Sequence, residues 1–181
     1  LISLAISQSV FSQTYSFEKG KVPEGWKIDK GVLHISSEKY KSGSRSLQIK
    51  WKQNAVLTIP SPTGISEACR NRNSGMNAWI YNESPTKENL LFSFRDETGK
   101  EVCQLPFLLD FKGWRCIWAK FQGDMNMSSK SNIQSVEIQF PQHTKKGVTY
   151  IDLLEFTSKV SWQNMSDAQY KVNRTDSVSY T

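Results

Sequence analysis

The stretch TYIDLLEF, residues 149–156, decides the fold class. Its aromatic and branched letters read as a buried strand. Side chains alternate along a strand, so Tyr150, Asp152, Leu154 and Phe156 are expected to share one face. A carboxylate on an apolar face is costly unless it is paired, hydrogen-bonded or bound to a cation. Asp152 therefore needs a partner from elsewhere in the chain.

Strand signals of the same kind recur outward from this segment. They are TYSFE (14–18), GVLHIS (31–36), RSLQIKW (45–51), AVLTI (55–59), NAWIYN (77–82), LLFSF (90–94), EVCQLPF (101–107), GWRCIWAKF (113–121), IQSVEIQF (133–140) and VTYIDLLEF (148–156). Turn chemistry separates them: Gly20, Pro23 and Gly25 follow the first, Pro60 and Pro62 are expected to stop the fourth, and RDETGK with Gly99 reads as a hairpin loop. About ten short strands at this spacing predict an all-β sandwich. Helical periodicity is confined to one short turn around GISEACRN (64–71), which Ser66 can cap.

The chain has 181 residues, 38% hydrophobic and 12% aromatic, enough for one sizeable core and against disorder. A net charge of +6 favours polyanionic partners: nucleic acid, anionic lipid or an acidic polysaccharide. The opening LISLAISQSVFSQ (1–13) has the apolar run and small-residue ending of a secretory signal without its basic start, with a buried strand or helix as the other reading. Residues 1–12 are expected to be a signal remnant, 13–160 the sandwich, and 161–181 a polar linker cut from something longer; the protein is expected to be secreted or periplasmic. No later stretch is long enough to span a bilayer. Cys69, Cys103 and Cys116 are too scattered for a disulfide framework or a zinc motif, and read as small semi-buried side chains; Cys103 and Cys116 are left as one alternative pair.

Alternation places Leu47, Ile49 and Trp51 on one face of the third strand, and Gln48, Lys50 and Lys52 on an outer, basic stripe. In GWRCIWAKF both faces are apolar, with Ile117, Ala119 and Phe121 against Trp114, Cys116 and Trp118. One of them meets the core, and the other is either covered or an exposed aromatic platform.

A catalytic site does not assemble. His34 is expected in solvent and His143 in the polar turn PQHTKKG, while Asp96 and Glu97 fall in a hairpin turn. No nucleophile elbow, phosphate-cradling glycine loop or His-Glu-x-x-His occurs. A cation site has more substance: Asp152 with Glu18, completed by carbonyls of the loop YKSGSRS, suits the hard oxygen shell of Ca²⁺. The bland alternative has Asp152 accepting bonds from backbone N–H groups or a lysine.

SFEKG, SGSRSLQIKW, AWIYNE, LDFKGWR and YIDLLEF occur in that order over residues 14–156, each of a kind common in β-sandwich carbohydrate-binding modules. Together with WIYNESP, LLFSF, LLDFKGWRCIW and WQNMSDAQYKV, the set resembles the N-terminal domain of chondroitin sulfate ABC lyases, large exported bacterial polysaccharide lyases. The resemblance implies a two-sheet jelly roll with a short helix, akin to galactose-binding and carbohydrate-binding modules, ahead of a helical catalytic domain that cleaves by β-elimination. It implies no catalytic residue in this chain. It also implies a structural cation, Ca²⁺ or similar, held by Glu18 and Asp152 with backbone oxygens of Ser16, Ser42 and Arg45. No organic cofactor is implied.

The partner implied is a sulfated glycosaminoglycan, besides the catalytic domain of the same polypeptide. Such a polymer calls for cations along its charges and aromatic rings against its sugar faces, as single-strand nucleic-acid grooves do. The candidates are Lys39, Lys41, Lys50, Lys52, Lys145, Lys146, Arg70 and Arg72, with Trp79, Tyr81, Trp114 and Trp118. For each lysine the alternative is a solvated face, and for each ring it is core or interdomain packing. Three roles stay open: a noncatalytic module engaging polysaccharide, a purely structural interdomain scaffold, and an unrelated basic sandwich for other polyanions.

Overall fold

The computed structural model describes residues 14–62, 65 and 71–160. Eleven strands run through them: β1 (Thr14–Tyr15), β2 (Lys27–Ile28), β3 (Gly31–Ser36), β4 (Ser46–Lys52), β5 (Val56–Pro60), β6 (Gly75–Asn82), β7 (Asn89–Arg95), β8 (Glu101–Leu108), β9 (Gly113–Lys120), β10 (Ser135–Gln139) and β11 (Lys146–Thr157). They make two sheets, ordered β3–β4–β11–β6–β9, with β1 also on β11, and β2–β5–β10–β7–β8. Every pairing is antiparallel. The all-β, two-layer sandwich expected from the alternation is the observed architecture.

The differences are local. Strand β2 has two residues, too few to show a period. Pro60, expected to stop its strand, is the last residue of β5 opposite Ser135. Pro106 sits inside β8, an edge strand, where a missing N–H is tolerated. The short helix expected at 64–71 lies outside the described residues except for Ile65, which is buried, and Asn71. The signal-like start, the polar exit, Cys69 and Arg70 lie outside them as well.

The core fills the space between the sheets. Strand β4 contributes Leu47, Ile49 and Trp51, β11 contributes Ile151, Leu154 and Phe156, and the opposite sheet supplies Leu57, Ile59, Phe92, Phe94, Val136 and Ile138. Phe94 meets Phe121 edge-on at 5.1 Å, and Trp51 stacks on Phe140 at 5.5 Å. Each such fully buried side chain contributes about 1.5–3 kcal/mol. Trp51 has room for its indole because glycine, Gly147, stands opposite it on β11; Gly31, opposite it on β3, instead leaves space for the Lys50 carbonyl and the Ile28 side chain. A Cβ on Gly147 would meet the indole at 2.2 Å.

Strand β11 breaks its own alternation. A bulge between Asp152 and Glu155 sets one extra residue against β6, with Leu153 at a φ of 52°. Up to Ile151 the strand pairs with β4, and from Leu154 it pairs with β1. The extra residue reverses parity, so Leu154 and Phe156 enter the core while Tyr150, Leu153 and Asp152 belong to the outer face. The expectation that Asp152 shares a face with Leu154 and Phe156 is thereby corrected. Cys103 and Cys116 do not meet either: Cys103 faces the core from β8, and Cys116 stands on the outer face of β9 opposite Trp79.

Candidate functional site

The outer face of the β3–β4–β11–β6–β9 sheet carries nearly all the side chains singled out by sequence, in two neighbouring halves. The first half is a clasped loop, residues 37–45, between β3 and β4. The Asp152 carboxylate, fully buried, accepts the N–H groups of Lys41 (2.8 Å) and Ser42 (3.0 Å) on one oxygen and of Leu153 (2.8 Å) on the other. Glu18, in the turn after β1 rather than on the strand, accepts the N–H groups of Ser44 and Arg45, both at 3.0 Å, and the Ser44 hydroxyl at 2.9 Å. Gly43 is at a φ of 69°, where a Cβ would meet the Glu18 carboxylate at 2.4 Å. The glycine is therefore required twice, by conformation and by space.

Burial pushes the Asp152 carboxyl up to about 6, against the lowering effect of its three N–H bonds, and the nearby charge of Glu18 adds to the rise. At Glu18 burial acts in the same direction, but the bonds from Ser44 and Arg45 outweigh it and leave the group below its ordinary value. The loop gives both carboxylates backbone N–H groups, the bland partner set weighed for Asp152 above, and gives Glu18 the Ser44 hydroxyl besides. Glu18 and Asp152 are close enough to feel each other's charge, and each has one oxygen with a single bond to it.

The clasped loop lies over an aromatic row. Trp79, Tyr81, Trp114, Tyr150 and Leu153 form a second apolar cluster on the outer face, all buried. Tyr81 packs edge-on against Trp114 at 5.4 Å and Tyr150 at 5.7 Å. The Lys41 ammonium sits 4.2 Å from the Trp79 ring centre, and that of Lys39 5.4 Å from Tyr81. Glu38 accepts the Tyr150 hydroxyl and the Gln48 carboxamide, which also donates to Tyr150. Gln48, expected on an exposed stripe, is thus on the outer face but covered. Of the four candidate rings only Trp118 is open, 47% exposed on edge strand β9.

The second half is an open cleft of about 550 Å³ between β3, β4 and the start of β11. Lys50, Lys52 and Lys146 line it, with Val32, Val148 and Glu83. In register, Lys146 stands directly opposite Lys52, and Val148 opposite Lys50. Directly opposed residues have Cβ atoms about 5 Å apart, and like charges so placed repel. Among the described residues the two ion pairs are Arg95–Glu137 and Arg115–Asp110, both elsewhere. The cleft therefore gathers three cations beside one carboxylate, Glu83, with no ion pair to any of them among the described residues.

The structure brings three of the expected cations together and leaves others apart. Lys145, exposed, neighbours Lys146 in the turn before β11. Arg72, also exposed, precedes β6, whereas the cleft lies past the other end of that strand, at Glu83. His34 is exposed as expected, and His143 lines a separate hollow of about 310 Å³ with Glu88, Asn89, Gln139 and Gln142. Sequence reasoning missed Glu83, Glu38 and Glu88. All three lie in connections, where no periodicity marks a side chain as functional. Among the described residues no group of three or more His, Cys, Asp or Glu side chains could hold a metal, and no helix is long and apolar enough to cross a membrane.

Residues 11–172 match the family model described as "Lyase, N terminal". A chondroitin sulfate ABC exolyase of Bacteroides thetaiotaomicron is 30% identical over 164 residues, covering 86% of this chain but 16% of that enzyme. The chain thus spans about one sixth of that relative's length. Among solved structures, an exo-β-agarase superposes with a TM-score of 0.61 at 13% identity, over 81% of this chain and 25% of that one. A family 11 carbohydrate-binding module of a Clostridium thermocellum cellulosomal cellulase gives 0.51 at 13% identity, over 82% and 95%. These two likenesses show the fold.

Proposed function

Since the chain belongs to the family of lyase N-terminal domains, we propose that it is a noncatalytic module that engages sulfated glycosaminoglycan for a catalytic domain further along the same polypeptide. The observation that carries this reading is the cleft with Lys50, Lys52 and Lys146 on one face of a sandwich shaped like carbohydrate-binding modules. Opposed lysines repel each other, and a sulfate or uronate set between them converts that cost into attraction. The substrate class is taken from the chondroitin lyase relative, and cleavage by β-elimination would belong to residues outside this chain.

Titration of the 181-residue chain with long chondroitin sulfate chains at low and moderate salt tests the reading. The Lys50→Ala/Lys52→Ala double variant is expected to bind at least tenfold more weakly, with a salt dependence reduced by about 1.4–1.8 in log–log slope for two lost ionic contacts. Unchanged affinity in that variant would remove the cleft from the account.

A cation at the clasp is part of the same proposal, with a structural role. Glu18 and Asp152 would supply its charge, and carbonyl oxygens of Ser16, Ser42 and Arg45 would help complete its shell. Support comes from the closeness of the two carboxylates and the reluctance of buried Asp152 to stay ionised alone. Calcium should raise the melting temperature of the native chain but not of Glu18→Ala; equal shifts in both would discard the site.

One observation favours a second reading, an interdomain scaffold. Trp118 is exposed beside Asn77, and the Asn77 side-chain Oδ1 and the Trp79 indole N–H are buried without a partner among the described residues. That corner of the sheet leaves polar groups unsatisfied and a large ring uncovered among the described residues. A chain that binds no chondroitin sulfate at either salt concentration would favour this reading.

A further inference from the structure

The turn that delivers Lys145 and Lys146 crosses from one sheet to the other, between β10 and β11. It is fixed from two sides. On one, Gln53 N–H donates to the Lys145 carbonyl at 2.9 Å, Asn54 N–H to the Pro141 carbonyl at 3.0 Å, and the Gln53 carboxamide to the Gln142 carbonyl at 2.6 Å. On the other stands a single carboxylate, Glu88, just before β7. One of its oxygens accepts the N–H groups of Gln142 and His143, both at 2.8 Å, and the other accepts the Thr144 hydroxyl at 2.6 Å. Burial would raise this carboxyl, but the bonds from Thr144, His143 and Gln142 outweigh it and hold the group below its ordinary value, so it is ionised at neutral pH. Glu88 is itself placed by the bond from Leu109 N–H to its carbonyl at 2.9 Å.

An acidic residue bonded to the turn that leads into a cationic cleft is at first sight a hindrance to binding a polyanion. Its oxygens, however, are turned into the turn backbone and spent on three donors, all within residues 142–144. Lys146 follows two residues later, at the position directly opposite Lys52. Resting on the reading of the cleft above, we propose that Glu88 is a positioning residue for the polyanion site. Its carboxylate sets the 141–146 turn so that Lys146, with Lys145 beside it, is presented towards Lys50 and Lys52. It touches no sugar.

The sign of one substitution separates positioning from mere charge. Glu88→Ala removes a negative charge beside the lysine-bearing turn, which by electrostatics alone tightens chondroitin sulfate binding. Glutamine would not serve, because its oxygen can accept the same two N–H groups and its NH2 can donate to the Thr144 hydroxyl oxygen. With Glu88 as a positioning residue, its loss instead weakens binding about fivefold, the order of one ionic contact. The salt slope should fall by close to one unit as Lys146 disengages. Thr144→Val, which removes one of the three bonds and no charge, should weaken binding in the same direction by a smaller factor, and decides the matter if Glu88→Ala does not fold. Equal or tighter binding by folded Glu88→Ala, or unchanged binding by Thr144→Val in its place, overturns the proposal. If the native chain binds and Lys50→Ala/Lys52→Ala does not, such a result removes only the role of Glu88. If the native chain does not bind at all, the cleft reading fails and this one with it.

Discussion

The two halves of one sheet face treat charge in opposite ways. Over β6 and β9, the carboxylates of Glu18 and Asp152 are held by loop N–H groups, the lysines lie on aromatic rings, and the rings beneath them are buried. Over β3, β4 and the start of β11, three lysines stand together in the open beside one acidic side chain. Residue type does not separate the halves, since both hold lysines and acids. What separates them is whether the fold has already supplied each group with its partner. A group so supplied holds the structure together, and a group left unpaired at some cost is available to a ligand.

The comparison breaks most easily at Asp152. Asp152→Ala strips three N–H groups of their acceptor, and each buried donor left unpaired costs about 1–3 kcal/mol. Urea unfolding should show a loss on the order of 3–5 kcal/mol, allowing for partial rehydration. A loss under about 1 kcal/mol would mean that the loop fastens itself without the carboxylate.

A pH series without divalent cations sharpens the same point. The folded-state value of about 6 lies above the ordinary 3.8, so the proton stabilises the folded form. That contribution is complete below the unfolded value and is lost as pH rises through 6. Stability should fall between about pH 4 and pH 6.5, by up to about 3 kcal/mol in all. Glu18 and Glu88 act oppositely, because depressed values give stability that is lost as pH falls below about 4.5. A maximum near pH 4.5 is expected, and a flat profile from pH 4.5 to 6.5 would contradict the burial of an ionised Asp152. The smallest effect belongs to Trp118→Ala, expected to change the stability of the isolated chain by no more than about 0.5 kcal/mol, since the described residues leave that ring 47% exposed. A larger loss in a melting experiment would mean that the ring is packed within the chain after all.

Much of the fold was legible because strand alternation is a local signal. GVLHIS maps onto β3 residue for residue, and Leu47, Ile49 and Trp51 face the core as their spacing dictates. The failures share one cause. The face taken by Asp152 depends on a bulge formed where β11 changes partner from β4 to β1, and the burial of Gln48 depends on Glu38 and Tyr150 arriving from elsewhere. The lysines were legible as cations, but the register that sets Lys146 against Lys52 joins positions far apart in sequence. The role of Glu88 was not legible at all, because its contacts are to the backbone of a distant turn.

The central position of β11 also governs the order of assembly. As the last strand among the described residues, it separates the β3–β4 hairpin from the β6–β9 pair and is the partner of β1. None of those pieces has a neighbour to complete it until residues 146–157 arrive. During synthesis the sheet must therefore wait as two unjoined halves, and its closure is a late, long-range event of the kind that makes β-sandwiches slow to fold. A ribosome stalled before residue 146 would hold a chain with both lysine-bearing β4 and tryptophan-bearing β6 already made, and no sheet to put them in.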